Sequence, residues 1–394
     1  MLFYQSFFSA LLVVGLGARR VSSKDCDCST PAPAPVATVP NQPSPAPTTG
    51  PQVTTEPVDT KLSRSILIKN SCSFDLDLGF TGGFAGQAPC KHSQVEDGSS
   101  GRCFWDIVDV PPSLRSGEET TLVIEGTRDE ENSVVVSGHL YALRSPYMKD
   151  ACPGGCSASQ GPTGSVTLSE FTMLAHSNSY LDISNVHGCN LPVEFGPPAA
   201  VANEGSYRNG VAGESCSWDV QPPEQYRTYL IQVKDAHGTC SKDGDCDGHE
   251  VCGASFDGPT PSYGKCGAFV AYLNAHANCI AGSTGYPFFC ESFSDLYACA
   301  GQYRQSGYSE GNTSEDHVCG CSNYEELGLE ASFPCRKQNE LWMEEALKWI
   351  YYLKEGCPSA YAFQYDDSTS TFTSDSDILE LVYCPGDSES TFFI

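Results

Sequence analysis

The chain has 394 residues, and its 49 acidic and 22 basic residues give a formal net charge of −27. A surface this acidic repels nucleic acid and anionic membranes and leaves neutral polysaccharide and basic protein as partners. The 21 cysteines predict a disulfide framework formed in an oxidising compartment. Because their number is odd, at least one thiol is unpaired or bonded to another chain.

The first segment, residues 1–23, predicts a secretory signal peptide. Its apolar run, Leu2–Ala18, is too short for a stable transmembrane helix and ends in small residues. Cleavage after Ala18 or Ser23 gives a secreted, extracellular protein. No second apolar run of membrane length follows, so we expect no membrane span.

Residues 24–62 predict an extended stalk. The segment is rich in Pro and Thr, has no aromatic residue and lacks the apolar area needed to fold, which is typical of an O-glycosylated linker. Cys26 and Cys28 stand too close to bridge each other comfortably, so either could form an intermolecular disulfide. Farther along, Asn312 in Asn-Thr-Ser is an acceptor for N-glycosylation.

Residues 63–386 predict one mainly β domain, followed by a tail at 387–394. Short runs of β-branched and aromatic residues recur with turn residues between them, which favours an antiparallel sandwich. These runs lie at 65–72, 120–126, 133–144, 180–186, 227–233 and 378–385.

Residues 240–356 of this domain predict a cysteine-rich lobe that contains a helix. The helix is expected over 339–356, with Asn339 as its N-cap and Gly356 as the C′ residue. One face of that helix carries an apolar stripe suited to core packing. The stripe consists of Trp342, Ala346, Trp349, Ile350 and Leu353.

An acidic segment in the lobe, residues 243–254, begins like a calcium-binding loop. Aspartates occupy its first, third and fifth positions, but Ala254 occupies the twelfth, where a bidentate Glu is required. Cys246 and Cys252 lie inside it. The pattern therefore favours a disulfide knot with acidic turns over a calcium site.

Several motifs of the chain closely resemble those of the thaumatin-like (osmotin-like) family. They run in one order from about Ser65 to Pro385, and the segment "KCGAFVAYLNAHANC" is similar to the enlarged lobe of fungal-type members. The resemblance implies a β-sandwich beside a disulfide-rich lobe, with a cleft between them. The other motifs are "SGHLYALR" (137–144), "DACPGGC" (150–156), "TLSEF" (167–171), "YLDISNVHGCNLPV" (180–193), "CPSAYAFQYDDSTSTFT" (357–373) and "LVYCP" (381–385).

The resemblance also implies two disulfides, Cys72–Cys384 and Cys152–Cys156. The sequence departs from the family at Ser374, where a cysteine of one usual bridge is missing, and at Cys189, where the family has Phe. Two readings of Cys189 stay open: a buried free thiol, or a new bridge to Cys216.

The family's cleft implies the candidate functional residues. Members that bind or cleave β-1,3-glucan have one Arg, one Glu and three Asp there. The Glu and one Asp are matched by Glu170 and Asp182. The Arg is replaced by His139, and the other two Asp by His187 and His276.

These substitutions leave alternative functions open. The first is binding of cell-wall β-1,3-glucan without a cofactor and with weak or no endo-β-1,3-glucanase activity, for which Glu170 and Asp182 are the candidate acid and base. The second is a Zn or Cu site formed by His139, His187 and His276, in a metal-binding protein or a metal-dependent polysaccharide-active enzyme. The third is a defence-type interaction protein whose acidic surface does the binding.

Overall fold

The computed structural model describes part of the chain, all of it within one unit, Asp59–Ile394. The predicted signal peptide, most of the stalk with Cys26 and Cys28, the Cys152–Cys156 loop, His276 and Asn312 lie outside the described residues. The described residues are 61–82, 84–87, 94–97, 102–105, 113–127, 134–145, 165–174, 178–198, 208–258, 260–273, 347, 351–363 and 366–386.

The described chain is mainly β, as predicted, with seventeen strands. The first nine are β1 (Lys61–Asn70), β2 (Leu76–Gly82), β3 (Phe84–Gln87), β4 (Gln94–Asp97), β5 (Arg102–Trp105), β6 (Ser113–Leu114), β7 (Glu119–Thr127), β8 (Val134–Arg144) and β9 (Leu168–Leu174). The others are β10 (Ser179–Ser184), β11 (Val193–Gly196), β12 (Arg208–Asn209), β13 (Ile231–His237), β14 (Val251–Ser255), β15 (Ser262–Tyr272), β16 (Phe372–Ser374) and β17 (Ile378–Tyr383).

Two sheets share one hydrophobic core. The first has the strand order β11-β17-β1-β7, and the second has the order β12-β16-β10-β9-β8-β2-β6. Successive side chains of β1 point to opposite faces of the first sheet, and Ile66 and Ile68 on one face are buried. Phe171 of the second sheet contacts Phe195 of the first, with ring centroids 6.4 Å apart. Strands β3, β5 and β4 form a separate small sheet.

A disulfide joins the residues that follow β1 and β17, the first and last strands of the domain. Cys72 and Cys384, the pair that the resemblance implies, are bonded to each other. Strands β1 and β17 are parallel neighbours, and Asn70 lies opposite Tyr383. Both cysteines therefore emerge at the same end of the sheet, just beyond its last paired residues.

Strands β13, β14 and β15 form a closed three-stranded sheet in which each strand pairs with the other two. Two disulfides, Cys240–Cys252 and Cys246–Cys266, hold its loops. The predicted strand at 227–233 is wrong in its first half, because Arg227–Leu230 forms a helical turn, α1. That turn buries Leu230, and Arg227 bonds to the Asp243 carboxylate.

The described part of the predicted late helix comprises Leu347, in a 3-10 turn, and α2 (Tyr351–Gly356). Leu353 is buried, as the predicted stripe requires. Gly356 is the last helical residue rather than the C′ residue. A Cβ at Gly356 would lie 2.7 Å from Val220 Cγ2, so the glycine permits close packing.

A buried ion pair holds α2 to the segment before β16. Lys354 and Asp366 are both fully buried, with Nζ 2.8 Å from the carboxylate. Lys354 also donates to the Ala360 carbonyl and to the hydroxyl groups of Thr369 and Ser370. Both hydroxyl residues belong to the short helix α3 (Asp367–Ser370). Among the described helices, none is long and apolar enough to cross a membrane.

Candidate functional site

Three of the predicted site residues lie side by side on the second sheet. In the strand register, His139 of β8 lies opposite Glu170 of β9, and Glu170 lies opposite Asp182 of β10. Directly opposite residues share one face of a sheet, while their neighbours point to the other face. Phe171 and Leu181, adjacent in sequence to the carboxylates, are accordingly buried in the core. We call His139, Glu170 and Asp182 the polar row.

The fourth predicted residue, His187, reaches the row from a tight turn. The Gly188 N–H donates to the Asn185 carbonyl at 2.8 Å, which places His187 at the third position of that turn. Gly188 has φ of +104°, and a Cβ there would lie 2.2 Å from the Tyr272 carbonyl oxygen. Only glycine fits this backbone, because both the conformation and the contact exclude a side chain.

The residues after the turn attach it to the surrounding sheets. Cys189 and Tyr272 exchange two backbone hydrogen bonds, of 2.7 and 3.0 Å. The Asn190 side chain accepts from the Thr167 N–H and donates to the Ala142 carbonyl, both at 2.8 Å. Asn190 thereby fixes the turn against β8 and the start of β9, the strands that carry His139 and Glu170. The sequence pattern did not single out Asn190 as part of the site.

Cys189 is a buried free thiol, and the alternative bridge to Cys216 is wrong. Cys216 is instead bonded to Cys357. The Cys189 side chain is 0% exposed within the hydrophobic core, where burial raises the pKa of its thiol above the ordinary value. Cys189 therefore serves as a small core residue rather than as a reactive group.

The polar row is largely withdrawn from solvent. The side chains of His139 and Glu170 are 16% and 27% exposed, and Asp182 is buried. Burial disfavours the charged carboxylate and raises the pKa of Glu170 to about 7, although hydrogen bonds with Ser184 and Asp182 act in the opposite direction. Ser184 was also missed, although it lies two residues after Asp182 and so projects from the same face of β10.

The contact between Glu170 and Asp182 limits their chemistry. An ionised carboxylate can only accept, so a hydrogen bond between two carboxyl groups requires a proton on one of them. Glycosidases that use two carboxyl groups hold them about 5 Å or more apart, with the glycosidic bond between. Glu170 and Asp182 lie directly opposite each other on adjacent strands and interact with each other instead.

The two histidines are neutral at neutral pH. Burial, and then the charge of nearby His187, lower the pKa of His139 to about 4. Burial also lowers the pKa of His187. His139 Nδ1 lies 3.7 Å from Glu170 Oε1, too far for a hydrogen bond. The row thus offers neutral imidazoles beside two carboxyl groups, of which Glu170 has a pKa of about 7.

Of the predicted three-histidine metal site, the structure describes His139 and His187, because His276 lies outside the described residues. Within the part of the chain that the structure describes, the group of three possible ligands that lie close together is Cys240, Cys246 and Cys266. Their sulfurs belong to two disulfides and are not available to a metal.

The acidic segment at 243–254 is a disulfide knot, as the pattern favoured. Asp243 accepts from Arg227 with one carboxylate oxygen and from the Cys252 N–H with the other. Asp245 accepts from Ser241 and from the Lys242 N–H. The first two aspartates of the calcium-like pattern therefore bind protein groups.

No protein-family model matches the chain, and no curated protein matches it.

Proposed function

We propose that this protein is a secreted thaumatin-like protein that binds cell-wall β-1,3-glucan at the polar row, with weak or no hydrolase activity. The observation that carries the proposal is the register that places His139, Glu170 and Asp182 side by side, with His187 next to them. The group thus combines side chains from three strands of one sheet with a fourth from the turn that follows β10.

The composition of the row suits a neutral sugar. Neutral imidazoles and a Glu170 carboxyl that is partly protonated near pH 7 offer both donors and acceptors, which complement the hydroxyl groups of a glucan. The Cys72–Cys384 bridge and the core shared by two sheets support the thaumatin-like reading, because both are features that the family resemblance implies. Secretion is supported by the disulfides, which form in oxidising compartments.

The contact between the two carboxyl groups supports binding over hydrolysis. Hydrolysis requires one group to protonate the leaving oxygen and the other to act at the opposite side of the scissile bond. Glu170 and Asp182 contact each other instead. We therefore expect no release of reducing ends from β-1,3-glucan beyond that of a Glu170→Gln/Asp182→Asn double variant.

The binding proposal is tested by a pull-down on insoluble β-1,3-glucan. Glu170→Gln and Asp182→Asn should each weaken binding roughly 10- to 100-fold, the loss that follows from a hydrogen bond to a charged group worth about 1.5–3 kcal/mol. Glu119→Gln and Asp247→Asn remove the same formal charges from exposed positions and should bind as the wild type does.

The controls separate this proposal from binding by the acidic surface. If all four variants lose affinity to the same degree, the charge of the whole surface does the binding and the polar row is incidental. If the wild type does not bind the glucan at all, the proposed function is wrong.

A further inference from the structure

The two ring nitrogens of His139 have different surroundings. Nδ1 faces the Glu170 carboxylate, 3.7 Å from Oε1. Nε2 is fully buried and has no hydrogen-bond partner. An unsatisfied buried polar atom costs about 1–3 kcal/mol, so such atoms in native proteins call for an explanation, and an ion is one.

This arrangement is close to the one that metal-binding histidines adopt. A histidine that binds a metal through one nitrogen nearly always directs its other N–H to a carboxylate, carbonyl or water, which fixes the ring and its tautomer. The Nδ1–Oε1 distance of 3.7 Å places the Glu170 carboxylate at this nitrogen, just beyond hydrogen-bond distance. Ser184 and Asp182 in turn hold Glu170. The Glu170 carboxylate thus lies at Nδ1 of His139, and Nε2 is the nitrogen that remains to bind the ion.

A second imidazole lies close by. His187 is near enough to His139 for their charges to interact directly. It is carried by the Asn185–Gly188 turn, whose backbone is fixed by the Gly188 contact with Tyr272, while its side chain is half-buried. The turn thus places a second imidazole near His139.

We propose that His139, through Nε2, and His187 bind one divalent transition-metal ion, Zn²⁺ or Cu²⁺, with Glu170 orienting His139. Imidazole nitrogen suits both ions, and Cu²⁺ binds a given nitrogen site more tightly than Zn²⁺ does. Water fills the remaining coordination positions. The site does not depend on glucan binding, and Glu170 contributes to it as a positioning residue.

The test measures metal binding by the secreted full-length chain without any polysaccharide. The protein is stripped with a chelator and dialysed against Zn²⁺ or Cu²⁺. Bound metal is then quantified by elemental analysis, and affinity by competition with a chromophoric chelator. We expect about one ion per chain. His139→Gln and His187→Gln should each weaken binding more than about 100-fold, since loss of an outer carboxylate alone costs about 10–100-fold.

The chain supplies a matched control. His237 lies 3.3 Å from Glu250 and forms the same kind of histidine–carboxylate pair, but its side chain is 56% exposed. His237→Gln should leave the affinity unchanged, whereas Glu170→Gln should lower it roughly 10–100-fold and keep one ion per chain at saturation.

The electron paramagnetic resonance spectrum of the wild-type Cu²⁺ complex provides a readout that does not depend on how the variants fold. Hyperfine coupling to two imidazole nitrogens is expected. Less than stoichiometric metal in the wild type, a spectrum without nitrogen coupling, or equal losses in His139→Gln and His237→Gln would each overturn the proposal. Failure of the glucan pull-down, run with chelator present, concerns the proposed function alone.

Discussion

Glu194 illustrates how one carboxylate makes stability depend on pH. It lies on β11, opposite Val382 of β17, so Glu380 is its diagonal neighbour on the same face of the sheet. Partial burial, and then the charges of Glu214 and Glu380, raise the pKa of Glu194. A folded-state pKa above the unfolded value means that the folded protein holds the proton more tightly. Stability is therefore lost as the pH rises through the range between the two values.

We predict that Glu194→Gln stabilises the protein at pH 7–8 by about 0.2–1 kcal/mol, the range for cross-strand charge pairs. Near pH 4, where the wild-type carboxyl is largely protonated, the two proteins should be equally stable. Denaturant unfolding at both pH values, in low and high salt, measures the difference. A benefit that persists at pH 4 would refute ionisation of Glu194 as the cause, and one that is insensitive to salt would assign it to burial rather than to repulsion by Glu214 and Glu380.

At the scale of an element, the turn Asn185–Gly188 decides where His187 stands. Its neighbours Cys189 and Asn190 attach it to β15, β8 and the start of β9. The turn depends on the absence of a side chain at Gly188, where a Cβ would overlap the Tyr272 carbonyl oxygen.

Gly188→Ala should therefore be strongly destabilising. The matched control is Gly117→Ala: Gly117 also has positive φ, +76°, but a Cβ there has nothing within 4 Å. We expect Gly117→Ala to cost about 1–2 kcal/mol from backbone strain alone. Gly188→Ala adds about 1–3 kcal/mol because the backbone must move to relieve the contact. Thermal and denaturant unfolding compare the two; equal losses would show that the Tyr272 contact is unimportant.

At the scale of the whole molecule, the Cys72–Cys384 disulfide spans 312 residues and joins the ends of the domain. The Cys240–Cys252 disulfide spans only 12 residues within the small closed sheet. Chain-entropy arguments assign the larger restriction of the unfolded chain to the longer loop.

We predict that replacing Cys72 and Cys384 by alanine destabilises the protein more than replacing Cys240 and Cys252. The chain-entropy model gives about 5–6 kcal/mol for the long loop and about 3 kcal/mol for the short one. Unfolding free energies of the two double variants, measured under the same non-reducing conditions, test this order. The reverse order would mean that native-state packing around each bridge outweighs the entropy of the unfolded chain.

Much of the architecture was accessible from local sequence. The β-rich runs at 65–72, 120–126 and 378–385 correspond to β1, β7 and β17, because alternating apolar residues and turn signals are properties of neighbouring positions. The same reasoning failed at 227–230, where Arg227 bonds to Asp243, sixteen residues away, and the chain turns helically instead. It also misjudged the role of Gly356, since the contact with Val220 is not visible in the local pattern.

The sequence by itself determined the mainly β character of the protein, its disulfide-forming composition and the residue types of the candidate site. Tertiary structure alone decided that Glu170 contacts Asp182, that His139 Nε2 is buried without a partner, and that Cys189 is free while Cys216 bonds to Cys357. The physical reason is that strand register and core packing join residues far apart in the chain. Local periodicity specifies which face a residue occupies, but not which residue of another strand lies opposite it.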